Sequence, residues 1–320
     1  MQTQASGQSV RVSTIRALAA LRSSGTRCDT PPRLSGPIPA GVARATVSLV
    51  NGLDAGKIVP IEGAVLLIGR CIEADLQVED LGVSRVHARI VRGPGGAFHI
   101  EDLGSTNGTF VGGRRVTVAP LATGDHVQLG PGVLLRFALT DPVDEKLQAT
   151  LFDSSIRDPL TKAYNRRYLA SRLAAEVVHA RRQAAPLAAV MLDIDHFKQI
   201  NDRHGHFVGD RVLCLVAARV MRELRAGDLV ARFGGDELVV LSREADPGQA
   251  AALADRLRGA VSDMHLSAGG EHVSITVSAG VASLAELGPR EPADALLQMV
   301  DRRLRAAKRE GRNRVCATSP

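Results

Sequence analysis

The chain of 320 residues is long enough for about two domains, and apolar residues make up 45% of it, so it can bury a sizeable core. This composition excludes a mostly disordered protein and a small disulfide-stapled one. Aromatic residues account for only 3% and Trp is absent, which argues against a nucleic-acid platform built on aromatic stacking.

The formal net charge of +6 is concentrated at the N-terminus. Residues 1–44 hold six arginines and one acidic residue, so five of the six net positive charges lie there. We interpret residues 1–44 as a disordered basic tail and expect no nucleic-acid binding by a folded domain. The four cysteines form no C-x-x-C pair, and no apolar run approaches the ~18 residues of a membrane span. We therefore expect a cytoplasmic protein with no membrane partner.

Residues 45–140 are predicted to form an all-β sandwich. Short β-branched runs recur in this region, and Gly, Asp and Asn turns separate them. The predicted strands are Thr46–Val50, Ala64–Ile68, Ala88–Val91, Thr109–Val111, Val127–Leu129 and Val133–Leu139.

Residues 141–157 are predicted to form a connecting helix, because they contain no Gly and carry apolar residues at helical spacing. Two interpretations of this helix remain open at the level of sequence. It forms a seam between two copies of the chain, or it packs on its own domain.

From residue 158 to residue 320 the pattern is that of an α/β domain. The predicted helices are Arg166–Gln183, Phe197–His204, Val208–Leu224, Asp246–Met264 and Pro292–Arg309. The predicted strands are Leu187–Asp193, Leu229–Phe233, Glu237–Leu241 and the region Val273–Ser283.

Acidic residues at two predicted strand ends indicate a cation site. Asp193 ends an apolar strand, and the Gly-Gly tip of a predicted hairpin displays Asp236 and Glu237 toward it. Two carboxylates from separate strands can hold Mg²⁺, which phosphoryl transfer needs to neutralise the charge of a triphosphate. Each motif taken alone is more often a capped turn.

Basic and amide side chains around these carboxylates suit a nucleotide. Lys198 lies in the first turn of a predicted helix, where an anion is favoured, and Asn201 shares its face. A carboxylate such as Asp210 can accept from the N–H edge of guanine, which adenine cannot match. Lys308 and Arg312 are four residues apart near the end of the chain, so on one helix face they could clamp the outer phosphates.

Together these features resemble the GGDEF family of diguanylate cyclases over roughly residues 158–315. The resemblance is carried by the opening segment D-P-L-T-K-A-Y-N-R-R-Y-L, by L-D-I-D-H-F-K-Q-I-N-D with G-H-F-V-G-D, by R-F-G-G-D-E-L, and by the closing G-R-N-R. It implies an α/β (α+β) fold like that of nucleotidyl cyclase catalytic domains. It also implies the condensation of two GTP into cyclic di-GMP and pyrophosphate by a homodimer, since each domain holds one GTP.

The resemblance also implies roles for individual residues. Asp193, the Ile194 carbonyl and Asp236 would bind Mg²⁺ or Mn²⁺. Asn201 and Asp210 would read guanine, Lys198, Lys308 and Arg312 would hold phosphates, and Phe197 would belong to the same substrate-binding set. The implied catalytic set is Asp236, Lys198, Arg232 and Glu237.

Three positions depart from the family pattern. Leu238 stands where Phe or Tyr is usual, Lys162 replaces a Gly, and His196 replaces a frequent Phe. We expect Leu238 to point into the packing of the hairpin and to have a modest effect on activity.

The R-x-x-D segment of Arg225 and Asp228 lies at the offset from Gly234 that resembles the product-inhibition site of the family. That resemblance implies that Arg225 and Asp228 bind cyclic di-GMP. Taken alone, an R-x-x-D segment usually forms only a surface ion pair.

Three motifs spaced along the predicted sandwich resemble those of the forkhead-associated (FHA) domain, over about residues 47–139. They are Gly-Arg at Arg70, Ser-Arg-Val-His from Ser84 and Asp-Leu-Gly-Ser-Thr-Asn-Gly-Thr from Asp102. The resemblance implies phosphothreonine-peptide binding by Arg70, Ser84, Arg85, Thr106 and Asn107, with His87 supporting the loop. A Gly at 112 or 113 stands where a second Asn is usual.

The sequence therefore predicts a multidomain chain, with an FHA sandwich at 45–140, a connecting helix at 141–157 and a GGDEF domain at 158–320. We expect a signalling enzyme with a phosphothreonine-containing protein as its input and cyclic di-GMP as its output. A second hypothesis is a catalytically weak receptor that binds cyclic di-GMP through Arg225 and Asp228. A third is an adaptor that only docks phosphopeptides.

Overall fold

The computed structural model describes residues 43–225, 227–268 and 271–318. The predicted disordered tail at 1–44 therefore lies, except for its last two residues, outside the described part of the chain. Within the described part, none of the helices combines the length and the apolar character that a membrane crossing requires.

The first half of the described chain is a β-sandwich of two mostly antiparallel sheets. Its strands are β1 Arg44–Leu49, β2 Ile58–Pro60, β3 Val65–Gly69, β4 Leu76–Gln77, β5 Ala88–Arg92, β6 Phe98–Asp102, β7 Thr109–Val111, β8 Arg114–Val116, β9 Val118–Leu121, β10 His126–Leu129 and β11 Val133–Thr140. One sheet has the order β2-β1-β11-β10-β7-β8 and the other the order β4-β3-β5-β6-β9. Alternate residues of both sheets fill one core, as the period of two in the strands requires.

All six predicted strands of the sandwich are present, and five others were missed. The missed strands β4 and β8 have only two and three residues, too few to show a period. Strand β9 contains Pro120, which normally argues against a strand, but β9 is an edge strand, where Pro is tolerated.

The connecting segment is a helix, α1, spanning Pro142–Ile156. It begins after Asp141, whose carboxylate accepts the Val143 N–H at 2.7 Å, and Pro142 occupies the first helical position. No residue of α1 is buried, and Val143, Leu147 and Leu151 are 73%, 55% and 59% exposed. The sandwich and the following domain therefore leave these three apolar side chains uncovered, while Phe152 lies beside Gly56 of the sandwich, and the dimer seam stays a prediction.

The second half is an α/β domain. Its helices are α2 Arg166–Gln183, α3 Phe197–His204, α4 His206–Glu223, α5 Pro247–Ser262 and α6 Asp294–Arg309. Its strands are β12 Leu187–Ile194, β13 Leu229–Arg232, β14 Glu237–Arg243, β15 Leu266–Ala268, β16 Glu271–Val273, β17 Val277–Ser283 and β18 Val315–Cys316. The single strand predicted from Val273 is wrong at its start, since Val273 ends a separate hairpin and β17 begins at Val277.

The central sheet has the order β13-β14-β12-β17-β18, antiparallel except for the β17–β18 pair. Helices cover both of its faces. The even-numbered residues of β12 pack with α4 and α5, and the odd-numbered ones pack with α2 and α6. Every residue of β12 is buried, which explains why its sequence reads as a continuous apolar run ending in Asp193.

Charged side chains join the sandwich to the α/β domain. Glu79, which follows β4, contacts Arg172 of α2 and accepts two hydrogen bonds from Arg243 of β14, at 3.1 and 2.5 Å. Buried Glu176 of α2 contacts both arginines. Burial alone would raise the pKa of Glu79, but hydrogen bonds and charges from Arg243 and Arg172 hold it below its usual value.

Candidate nucleotide and phosphopeptide sites

Two strand ends of the central sheet bring the predicted carboxylates together. Strands β12 and β14 are paired so that Asp193 lies opposite Glu237, and the Ile194 N–H donates to the Asp236 carbonyl at 3.4 Å. The hairpin between β13 and β14 closes through the Phe233 N–H, which donates to the Glu237 carbonyl at 2.9 Å. The structure therefore places Asp193, Asp236 and Glu237 at one end of the sheet, as the sequence predicts.

The electrostatics of this cluster favour a positive charge. Burial raises the pKa of Asp193 to about 6, and the Asp236 and Glu237 carboxylates add to the rise. The pKa of Glu237 is also raised, by burial and then by Asp236. The Lys308 ammonium lies 2.7 Å from Asp193 and opposes the shift of that carboxyl. Like charges so close together are stabilised by a cation.

The donor set fits a divalent cation that is shared with a substrate. Within the described residues, no group of three or more His, Cys, Asp or Glu side chains is arranged to hold a metal ion by itself. Mg²⁺ usually takes one or two carboxylates and completes its shell with water and substrate phosphates. Asp193, Asp236 and the Ile194 carbonyl match that pattern.

Arg232 holds the tip of the hairpin in place. Its guanidinium donates to the carbonyls of Gly234 at 3.2 Å and Gly235 at 2.8 Å, and it pairs with Asp158 at 3.2 Å. Asp158 also accepts the N–H and hydroxyl of Thr161, at 2.8 and 2.7 Å. The opening D-P-L-T segment is thus bonded to the hairpin that carries Asp236. The sequence did not predict this contact, because Asp158 and Arg232 are 74 residues apart.

The unusual residue Leu238 lies in the core and not in the site. It is 1% exposed and packs in the layer under α4 and α5. Its side chain therefore packs in the core, as we expected, and can affect the carboxylates only by shifting the backbone of β14.

The residues predicted to bind the base lie around the junction of α3 and α4. Asn201 packs directly on Gly209, where an added Cβ would lie 1.7 Å from its amide oxygen. Asp210 and Lys198 are exposed, and Phe197 is half-buried at the start of α3. Gly209 was not predicted as a site residue, although it stands in the G-H-F-V-G-D segment.

The last turn of the domain presents the two predicted phosphate-binding cations. Lys308 is near the end of α6, and Arg312 follows in a turn where its φ is 62°. The Arg312 side chain is exposed, and its N–H donates to the Ala307 carbonyl at 3.1 Å. The two residues are therefore close in the chain but lie on different elements, so the predicted single helix face is wrong.

The R-x-x-D segment forms a turn before β13. The Asp228 carboxylate accepts the Arg225 N–H at 3.2 Å and the Ser242 hydroxyl at 2.8 Å. The Arg225 side chain is exposed. The turn therefore fixes Asp228 and leaves Arg225 available to a ligand.

The predicted phosphopeptide residues gather at one edge of the sandwich. The Thr106 N–H donates to the Ser84 hydroxyl oxygen at 3.0 Å, and Arg70 donates to the Val83 carbonyl at 3.3 Å. Asn107 donates to the Gly82 carbonyl at 2.8 Å. Three separate loops thus meet at this edge.

His87 supports these loops from inside the sandwich. It is fully buried, accepts the Ser84 N–H at Nδ1 and contacts the Gly108 carbonyl through Nε2 at 3.2 Å. Burial lowers its pKa, so the ring is neutral, with its proton on Nε2. The Arg85 side chain is exposed beside this edge. Position 69 must be a glycine, because an added Cβ would lie 2.1 Å from the Arg85 carbonyl oxygen.

The family described as "Diguanylate cyclase, GGDEF domain" matches residues 155–314, which is half of the chain, and the FHA domain family matches residues 66–130. Diguanylate cyclase DgcP of Pseudomonas aeruginosa is 40% identical over 161 residues, covering 50% of this chain and 24% of that protein. Response regulator PleD of Caulobacter vibrioides is 37% identical over 182 residues, covering 56% and 39%. The chain thus spans about a quarter to two fifths of the length of these curated relatives.

Solved structures agree with these sequence relationships. The coiled coil and GGDEF domain of DgcB from Caulobacter crescentus, in complex with c-di-GMP, has a TM-score of 0.50 at 30% identity. It covers 54% of this chain and 91% of that one. Diguanylate cyclase SiaD of Pseudomonas aeruginosa, in complex with its activator SiaC, also has a TM-score of 0.50, at 36% identity, covering 54% and 65%.

Matches to both families, the strand-end carboxylates and the R-F-G-G-D-E-L hairpin lead to one conclusion: the chain belongs to the GGDEF family and carries an FHA domain ahead of its GGDEF domain.

Proposed function

We propose that this protein is a diguanylate cyclase, which condenses two GTP into cyclic di-GMP with release of two pyrophosphates. The observation that carries this proposal is the meeting of Asp193 with Asp236 and Glu237 at one end of the sheet, with Lys308 2.7 Å from Asp193. The relatives named diguanylate cyclases support it.

The reaction is a pair of in-line displacements at phosphorus. The 3′-hydroxyl oxygen of each GTP forms a bond to the α-phosphorus of the other, the bond to the β-phosphate bridge breaks, and the hydroxyl proton leaves. Since each domain holds one GTP, two copies of the chain must face each other. Asp236 lies at the hairpin tip, where it can help to accept the attacking proton.

The protein contributes mainly position and charge. Asp193, Asp236 and the Ile194 carbonyl would hold Mg²⁺ or Mn²⁺, which supplies positive charge to the triphosphate when bound. Lys308 and Arg312 would add charge at the outer phosphates. Two contacts support this role: Lys308 lies 2.7 Å from Asp193, and the turn that carries Arg312 donates its Asn313 N–H to Asp195 at 3.0 Å.

Recognition of guanine falls to the α3–α4 junction. Asn201 offers an amide that can both donate and accept, and exposed Asp210 can accept from the base N–H groups. Lys198 and Phe197 lie in the first turn of α3, where the helix N-terminus favours a phosphate. Arg232, which the resemblance places in the catalytic set, would act as a positioning residue by holding the hairpin, and Glu237 would add negative charge beside the cation.

The edge of the sandwich would bind a phosphothreonine-containing protein. Arg70, Ser84, Arg85 and Thr106 offer charged and hydroxyl donors to a phosphate dianion, and Asn107 would bind the peptide backbone. We further propose that Arg225 and Asp228 bind the product, cyclic di-GMP, and that the functional units are residues 45–140, 141–157 and 158–320.

Incubation of the purified chain with GTP and Mg²⁺, followed by chromatography of the nucleotides, tests the proposal. Formation of cyclic di-GMP by the natural protein, and its loss in an Asp236→Asn variant, supports a cyclase. Binding of cyclic di-GMP without turnover would instead establish a receptor, and binding of neither nucleotide would leave only an adaptor.

A second measurement tests the phosphopeptide input. A saturating phosphothreonine peptide that binds the natural protein should change the rate of cyclic di-GMP formation, and the Arg70→Ala variant should not respond. An unchanged rate in both proteins, with binding intact in the natural one, would show that the two domains are not coupled.

A further inference from the structure

Asp195 is a buried carboxylate to which the proposed mechanism gives no task. It is 4% exposed and accepts three hydrogen bonds: from the Ser278 hydroxyl at 2.6 Å, the Thr276 hydroxyl at 2.8 Å and the Asn313 N–H at 3.0 Å. Among residues 43–225, 227–268 and 271–318, the groups that donate to this carboxylate are two hydroxyls and one backbone N–H, and none is a Lys or Arg side chain. Burying a carboxylate without a cation costs free energy unless it is hydrogen-bonded. Moving any of these donors away would remove a hydrogen bond that offsets this cost, so the carboxylate holds its donors in place.

One of those groups belongs to the turn that carries Arg312. Arg312 and Asn313 have φ values of 62° and 43°, in the left-handed region that residues other than glycine rarely adopt. That conformation is unfavourable for a residue with a Cβ, more so for Arg than for Asn, so surrounding contacts must hold it. Asp195 fixes the Asn313 N–H, and Arg258 donates to the Asn313 side chain at 3.1 Å.

The side chain that this turn presents is free to bind a ligand. The Arg312 guanidinium is exposed, and within the described part of the chain it makes no ion pair. Lys308, on the last turn of the preceding helix, is engaged with Asp193 at 2.7 Å. Of the two predicted phosphate-binding cations, Arg312 is therefore the one whose place depends on the anchored turn.

We propose that Asp195 is a positioning residue for Arg312: it holds the strained turn after α6 so that the guanidinium meets the outer phosphates of GTP. This inference rests on the proposed function, because it takes Arg312 as a phosphate ligand. It divides the D-I-D segment into two tasks, a cation site at Asp193 and an anchor for the phosphate-binding turn at Asp195.

Nucleotide binding to the full chain tests the inference without turnover. Two probes are compared in the presence of Mg²⁺: a GTP analogue with a methylene bridge between the α- and β-phosphorus atoms, and GMP, which lacks the outer phosphates. The variants are Asp195→Ala, Asp195→Asn, Arg312→Ala and the double variant Asp195→Ala with Arg312→Ala. Ser278→Ala is the matched control, because it removes a donor to the same carboxylate that is not in the turn.

We expect Asp195→Ala to weaken binding of the GTP analogue about tenfold, as expected for a lost hydrogen bond to a charged group, and to leave GMP binding within twofold. Asn keeps one acceptor for the Asn313 N–H, so Asp195→Asn should restore most of the affinity. Arg312→Ala should show the same selective loss, and the double variant should bind no more weakly than Arg312→Ala alone. Ser278→Ala should bind both probes like the natural protein.

Equal weakening of GMP and the analogue in Asp195→Asn, or losses that multiply in the double variant, would overturn the inference, because Asp195 would then act on the whole pocket. If Asp195→Ala does not fold, Asp195→Leu, which also removes the acceptor for the Asn313 N–H but keeps a side chain of similar length, takes its place in the cycle with Arg312→Ala. A natural protein that binds neither probe would refute the proposed function itself.

Discussion

Replacing Arg232 with Ala should damage stability and activity together. Arg232 pairs with Asp158 and donates to two carbonyls at the hairpin tip, and the side chains of the pair are 22% and 15% exposed. Hydrogen bonds to charged groups contribute about 1.5–3 kcal/mol each, and water replaces part of that at this exposure, so we expect a loss of about 2–3 kcal/mol. For a domain of this size each kcal/mol lowers the melting midpoint by about 2–4 °C, which gives roughly 4–12 °C.

The effect on turnover should be larger than the effect on stability suggests. Without Arg232 the tip that carries Asp236 loses the donors that hold its two glycine carbonyls, and a displacement of about 1 Å at a reacting centre can cost ~10²-fold in rate. Differential scanning calorimetry and the rate of cyclic di-GMP formation at 25 °C measure the two effects. Arg232→Lys keeps the charge but not the planar fork, so it should fall between the natural protein and Arg232→Ala.

An arginine of another helix provides the control. Arg222 of α4 is exposed, and Arg222→Ala should leave both the midpoint and the rate unchanged. If Arg232→Ala lowers the midpoint but forms cyclic di-GMP at the natural rate, the hairpin does not need this arginine to place Asp236. The positioning role we assign to it would then be wrong.

Two further predictions concern the base site and the pH dependence of stability. Gly209→Ala should reduce affinity for GTP at least tenfold, measured by calorimetry, because its Cβ would lie 1.7 Å from the Asn201 amide oxygen. Gly259→Ala, where a Cβ meets nothing within 4 Å, should bind GTP normally. Hydrogen bonds from Arg303 lower the pKa of Glu286, so this pair stabilises the fold above the ordinary pKa of a glutamate and loses that contribution as the pH falls. Glu286→Gln should therefore flatten the acid side of a plot of melting midpoint against pH, and an unchanged slope would contradict this.

Long, strongly patterned elements could be predicted from the sequence. Helix α2 has the predicted bounds, because Asn165 caps its start and Ala184 adopts a left-handed conformation at its end. Strand β12 could be predicted because burial on both faces leaves a continuous apolar run. The end of that run also located Asp193, and the Gly-Gly tip located Asp236, so the core of the candidate site followed from local patterns.

Contacts between distant segments could not be predicted in this way. Glu79 meets Arg172 and Arg243, which are 93 and 164 residues away in the chain, and nothing local to any of the three indicates a partner. The different surroundings of Asp193 and Asp195 have the same cause. Asp193 and Asp195 flank Ile194, the last residue of β12, and only the folded positions of Lys308 and Asn313 distinguish a cation site from an anchor.

The junction between the sandwich and the α/β domain has a mechanical consequence. Glu79 is fastened to a helix and to a strand, and a separate bond runs from the Tyr168 hydroxyl to Asp54 at 2.9 Å. Two bodies that touch at one point can swivel, but attachment at several points resists torsion as well as separation. A twist of the sandwich on its neighbour therefore requires these bonds to break together, so such a motion would occur as a discrete step and not as a gradual drift.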